Sequence, residues 1–220
     1  MFLKHLKKWD LSLKTEVKME RIKVHTENPE KRVIDKAVSV LESGGVALVP
    51  GDTSYLLAVK IGKKGALEKL NRIKQTKKRK FYSLVFKDLS DISRYADIDN
   101  RHFNLLKRCL PGAYTFILTA SREIPKIMLE NRKEIGIRIP DSRFISALVE
   151  EIGEPLVVST ASCDEGEEFC DPEEDSPDWL GFVDLLVDGG YLAMELTTIV
   201  QLSGDEYEIV REGKGDTDIF

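Results

Sequence analysis

The chain has little of what disulfide-stapled or metal-built proteins depend on. Its 220 residues include three cysteines, Cys109, Cys163 and Cys170. That is too few for a disulfide framework, so a reducing, cytoplasmic setting is expected. Its three histidines, His5, His25 and His102, lie in unrelated contexts, and no HExxH occurs. Cys163 and Cys170 have no second pair, so no tightly bound protein metal site is expected. The GxxxxGK[ST] phosphate loop, the GxGxxG dinucleotide turn and the GxSxG elbow are all absent, which removes the standard sites of those types. No apolar run reaches the roughly 18–20 residues of a membrane span. Glycine (15) and proline (8) are modest beside 42% apolar residues, which excludes a disordered or fibrous chain. A net charge of −5 argues against a protein that coats nucleic acid with its whole surface, but leaves room for a local basic patch on RNA.

What remains fits one domain with a sizeable core, about 70% of the unfolded surface being buried at this length. Residues 1–18 are basic and interrupted by charge, so no secretory signal forms. They read as an extension, either a loose tail or a short amphipathic helix through Phe2, Leu6, Trp9 and Leu13; a start at Met19 is a further option. The domain proper is expected over 19–220. Short apolar runs alternate with helical spacing: strands near 22–24, 46–50, 56–60, 82–86, 113–120 and 135–139. The strand Leu156-Val157-Val158 within EPLVVSTAS, the run ending at Gly190, and the TTIVQLS and EYEIV segments add four more. Helical patterns cover 29–43, 65–76, 88–95, 100–109 and 142–152. This order predicts an α/β domain with a twisted mixed sheet. Residues 164–178 hold nine acids and no basic residue, the pattern of a solvated loop, of a cover over a basic site or of a loose metal holder.

Four polar groups on strands or at their ends and one cluster of cations stand out. Asp52, Thr53 and Tyr55 follow a buried strand, where α/β sheets collect ligands, though a self-bonded turn explains Asp52 and Thr53 equally well. Lys74 through Lys80 contains five cations, read either as a solvated helix end complementing the dipole or as a phosphate site. Ser159, Thr160 and Ser162 end a strand, as anion donors or as their own caps. Arg138 interrupts the apolar run 135–139 and needs an anionic partner, a protein carboxylate or a ligand's. Thr197, Thr198 and Arg211 lie on adjacent C-terminal strands.

Eight segments occur in one order: VPGDTSYLLAVK, LNRIKQ, LPGAYTFIL, IGIRIPD, GEPLVVSTAS, VDGG, TTIV and VREG. In this the chain resembles the YrdC-like family from about residue 22 to 213, and its YciO type in LPGAYTFIL, VDGGYL and VREGKGD. The resemblance implies a single YrdC-like domain with a basic concave surface. It also implies synthesis of threonylcarbamoyl-adenylate from L-threonine, bicarbonate and ATP with Mg²⁺, for a tRNA modification. It places Thr53, Arg138 and Thr197 on the amino acid, and Lys74, Lys80 and Arg211 on the nucleotide. The sequence departs from the family at Thr76, in place of the arginine of Lys-x-Arg, and at Ala161 and Cys163, in place of Ser-x-Asn. Gly51 stands for the first threonine of P-T-x-T. Weakened nucleotide binding is therefore expected. The rival expectation is a protein that holds double-stranded RNA or tRNA without synthase activity.

Overall fold

The computed structural model describes residues 19–74, 82–129, 133–162, 168–203 and 206–220. The alternation of apolar runs and helical spacing folds into β1 (Glu20–Lys23), α1 (Lys31–Glu42), β2 (Ala47–Pro50), β3 (Tyr55–Lys60) and α2 (Lys64–Lys74). Then come β4 (Ser83–Val85), α3 (Ile92–Tyr95), α4 (Asn100–Cys109), β5 (Tyr114–Thr119), α5 (Lys126–Leu129) and β6 (Glu134–Arg138). The chain closes with α6 (Arg143–Ile152), β7 (Leu156–Thr160), a 3-10 helix (Asp178–Phe182), β8 (Leu185–Asp188), β9 (Thr198–Ser203) and β10 (Glu206–Arg211).

Local chemistry explains the boundaries. In α1, Val33, Ile34, Ala37 and Leu41 share the buried face, and the chain leaves it through Gly44 at φ 84°, a conformation only glycine adopts freely. The Ser142 hydroxyl accepts the Ile145 N–H at 3.3 Å to start α6, as an N-cap should. The Asp99 carboxylate does the same for His102 N at the head of α4, at 2.7 Å.

The strands form one ten-stranded mixed sheet in the order β1-β8-β2-β3-β7-β4-β6-β5-β9-β10. One face is covered along its length by a core drawn from α2, α3, α4 and inward residues such as Leu57, Leu84, Phe116, Ile137 and Val200. The other face is covered by α1 and α6 over β8, β2, β3, β7 and Val85 of β4, with Ile22 of β1 packed against that core. That second core takes no side chain from β6, β5, β9 or β10. Strand alternation therefore turns Gly136, Arg138, Thr115, Ile117 and Ile199 onto a stretch of sheet without a helix among the described residues. This stretch positions the site.

The acidic segment differs from a simply solvated loop. Where it is described, Phe169 is fully buried and meets Tyr55 edge-on at 5.1 Å. The Asp175 carboxylate accepts the N–H groups of Cys170 and Asp171, and Trp179 of the 3-10 helix fills the core beside Phe169. Aromatic burial outweighs the charge repulsion that the composition emphasises.

Candidate functional site

A cavity of about 230 Å³ opens on the uncovered half of the sheet. Its floor is built across neighbouring strands in register: Val158 of β7 opposite Ser83 of β4, Ser83 opposite Gly136 of β6, and Gly136 opposite Ile117 of β5. A second row runs from Thr115 of β5 to Ile199 of β9 and on to Arg211 of β10. Arg138, Thr197, Ser159 and Thr160 line the same cavity. Five residues marked by sequence, spread from position 138 to 211, thus converge because adjacent strands place their side chains side by side.

Arg138 lies 4% exposed on β6. Its Nη2 donates to Asp52 Oδ1 at 3.0 Å and to Thr53 Oγ1 at 3.3 Å. The turn Gly51–Ser54 therefore supplies the protein carboxylate that a strand arginine demands, and Asp52 accepts the Asp141 N–H as well, at 3.2 Å. Gly51 is needed to close this turn, since a Cβ there would lie 2.6 Å from the Ser54 carbonyl oxygen. Arg138 Nε is buried and has no hydrogen-bond partner among the described residues. On the facing strands, Arg211 donates Nε and Nη2 to the Thr197 carbonyl at 3.0 and 2.8 Å, and Nη2 to Thr197 Oγ1 at 3.2 Å. The Thr197 hydroxyl meets Thr115 Oγ1 at 2.8 Å.

Burial lowers the pKa of both arginines, and for Arg211 the positive charge of Arg138 lowers it further. Two guanidiniums face one cavity with Asp52 as the one carboxylate ion-paired to either among the described residues. An anion entering the cavity meets two guanidiniums and one carboxylate, ion-paired to Arg138.

Other marked residues sit elsewhere. The Lys74 ammonium, at the end of α2, donates to Thr160 O at 2.9 Å, to Ser162 O, and to Ser162 Oγ at 3.4 Å. It pins the end of β7, and its three donors are engaged there. Tyr55 is not brought to the cavity: it lies in the opposite core, donates to Gly190 O at 2.7 Å and accepts the Gly189 N–H at 3.0 Å. Burial raises its phenol pKa strongly, so it acts as a neutral clamp between β3 and the end of β8. Ala161 is fully buried, facing that same core rather than a ligand. Lys80, Thr76 and Cys163 lie outside the described residues.

Sequence reasoning missed Thr115, Gly136 and Ile199. Only the cross-strand register shows them, although a glycine inside an apolar strand is a signal of close approach. A Cβ on Gly136 would come 2.6 Å from Ser83 Oγ and 3.2 Å from Thr115 Cγ2. Gly136→Val is therefore expected to fill the floor, abolish ligand binding, and destabilise the fold by about 1–3 kcal/mol through overpacking. Calorimetric titration with L-threonine alongside thermal unfolding checks both; retained affinity would show that ligands bind outside this cavity.

The mixed sheet, with one half-bare face and a paired-arginine cavity on it, places the chain in the α/β class. The chain matches the family described as “Telomere recombination” (Sua5, YciO and YrdC proteins) over residues 39–213, and it belongs to that family. It is 42% identical over 200 residues to the protein YciO of Escherichia coli (strain K12), covering 90% of this chain and 97% of that one. To the Threonylcarbamoyl-AMP synthase of Bos taurus it is 31% identical over 167 residues, covering 74% of this chain and 60% of the synthase. The crystal structure of E. coli YciO superposes with a TM-score of 0.87 at 38% identity, over 92% of this chain and all of that one. P. abyssi Sua5 complexed with L-threonine shares the fold at a TM-score of 0.80 and 20% identity, covering 88% of this chain and 57% of that one. Among the described residues, no helix is long and apolar enough to cross a membrane.

Proposed function

We propose that the cavity binds a small amino-acid carboxylate beside a nucleotide, and that the protein forms a carbamoyl-adenylate of the threonylcarbamoyl-AMP type with a weakened nucleotide site. The buried Arg138 Nε without a partner is the observation that supports this reading. A buried guanidinium N–H without an acceptor is costly, and a ligand carboxylate supplies one. The relatives named for threonylcarbamoyl-AMP synthesis and the Sua5 structure with L-threonine give the class of ligand.

In this reading Arg138 holds the carboxylate, with Thr53 and Thr197 beside it. Bicarbonate and the free amine condense to a carbamate with loss of water. A carbamate oxygen then attacks the α-phosphorus of ATP, and the bond to the β-phosphate oxygen breaks to release pyrophosphate. Nothing here needs a side-chain nucleophile, and the protein's share is positioning and charge compensation. Arg211 compensates phosphate charge, and Lys80 and Lys74 belong to the nucleotide side. Lys74 contributes by releasing one of its carbonyl partners or by holding the β7 end in place.

Magnesium does not fit the side chains of this cavity, whose charged members are guanidiniums. No cluster of three or more metal-ligating side chains exists among the described residues. The ion would arrive on the phosphates as part of the substrate.

Purified protein incubated with ATP, Mg²⁺, bicarbonate and each amino acid in turn is expected to release pyrophosphate slowly, with L-threonine or another small amino acid. Absence of release with every amino acid overturns the reading. Salt-sensitive binding of double-stranded RNA or tRNA in that same preparation would assign the surface to nucleic-acid phosphates instead.

A further inference from the structure

We infer that Thr115 is a ligand-contacting hydrogen-bond donor, the cavity end of a relay that runs from Arg211 through Thr197. The inference rests on the anion-receptor reading of the cavity and adds a residue and a direction to it.

The donation from Arg211 favours one direction. A guanidinium only donates, whereas a hydroxyl carries one hydrogen and two acceptor lone pairs. Arg211 Nη2 donates to Thr197 Oγ1 at 3.2 Å, so one lone pair of that oxygen is taken. The other neighbour of Thr197 Oγ1 is Thr115 Oγ1, at 2.8 Å. Both threonines are buried, 5% and 8% exposed, so a hydroxyl hydrogen left unused there is costly. Either hydroxyl can donate across this contact, and each way leaves one hydrogen over on a residue that lines the cavity. Because Thr197 already accepts from a guanidinium, its O–H is the more polarised, which favours Thr197 as donor and Thr115 as acceptor. The Thr115 hydrogen then remains over, on a side chain that lines the cavity.

Three features suit this hydrogen to an anionic oxygen. The chain begins at a cation, so each bond polarises the next and the last O–H is a stronger donor than an isolated hydroxyl. Thr115 is held rigidly: its strand pairs with β6 and β9 on its two sides. Finally, the same patch holds Arg138, so one carboxylate or phosphate group can accept from Arg138 and from Thr115 together.

The test uses the full chain with two probes, inorganic phosphate and L-threonine, titrated calorimetrically. Thr115→Val, which keeps the shape and removes the hydroxyl, is expected to weaken at least one probe by about tenfold or more, the loss of one hydrogen bond to a charged group. Thr115→Ser should restore affinity to within about threefold. In an Arg211→Ala background, Thr115→Val should cost less than about threefold, because the donor has lost its polarising cation. A merely structural threonine would give the same loss in both backgrounds. Unchanged affinity in Thr115→Val, or a loss that Thr115→Ser fails to restore although it melts like wild type, overturns the relay. If wild type binds phosphate but not L-threonine, the amino-acid reading falls while the phosphate arm still decides the relay. If it binds neither, both fall together.

Discussion

Asp52→Ala is expected to lower the melting temperature by roughly 10 °C. Its carboxylate is 7% exposed and sits 3.0 Å from a guanidinium that is itself 5% exposed. Removing one partner of such a pair leaves a buried, permanently charged arginine, which costs about 3–5 kcal/mol. The lower end applies here, because Thr53 Oγ1 still accepts from Nη2. For a chain of this size, each kcal/mol moves the midpoint by about 2–4 °C. Inorganic phosphate should stabilise this variant more than wild type, since an anion can then take the place that Asp52 vacates beside Nη2. Differential scanning calorimetry with and without phosphate reads both effects. A midpoint within 2 °C of wild type would show that Arg138 is solvated and that the pair is incidental.

Arg138→Ala should do the reverse: a small change in stability and a large one in binding. The carboxylate left behind keeps its bond from the Asp141 N–H and gains water where the guanidinium stood. The ligand, in contrast, loses the donor that matches a carboxylate in shape and charge. Truncating one side of a buried charged contact costs about 2–5 kcal/mol, so L-threonine affinity should fall at least about thirtyfold. If Arg138→Ala instead melts as far below wild type as Asp52→Ala while ligand binding persists, Arg138 is a structural ion-pair member and the ligand binds elsewhere.

Much of the architecture was legible because apolar runs of strand length and helical spacing are set by burial, and burial is written in residue type. α4 spans the predicted 100–109, α6 starts one residue inside its predicted 142–152, and β7 runs on from the predicted Leu156-Val157-Val158 to Thr160. The 3-10 helix at Asp178 was not legible, because its acidic surroundings mask the two buried aromatics, Phe169 and Trp179, that hold it. At the site, Arg138 announced itself as a charge inside an apolar strand, and its partner lay in a turn already marked. Tyr55 did not behave as its neighbours suggested. One residue of strand alternation separates the cavity face from the core face, and only pairing register decides which side a side chain takes. Thr115 and Gly136 were silent for a related reason: their meaning lies in what stands beside them on the next strand, which no single segment contains.

The half-bare sheet also bears on the kinetics of recognition. The floor of the cavity belongs to strands rather than loops, and each of its residues is held by ladder bonds to neighbours on either side, apart from β10 at the edge. Such a surface has little conformational freedom left to lose, so little of the interaction energy is spent on ordering the receptor. Association should then be fast and governed by the removal of water from two arginines. Discrimination between similar anions should show itself in how long each one stays.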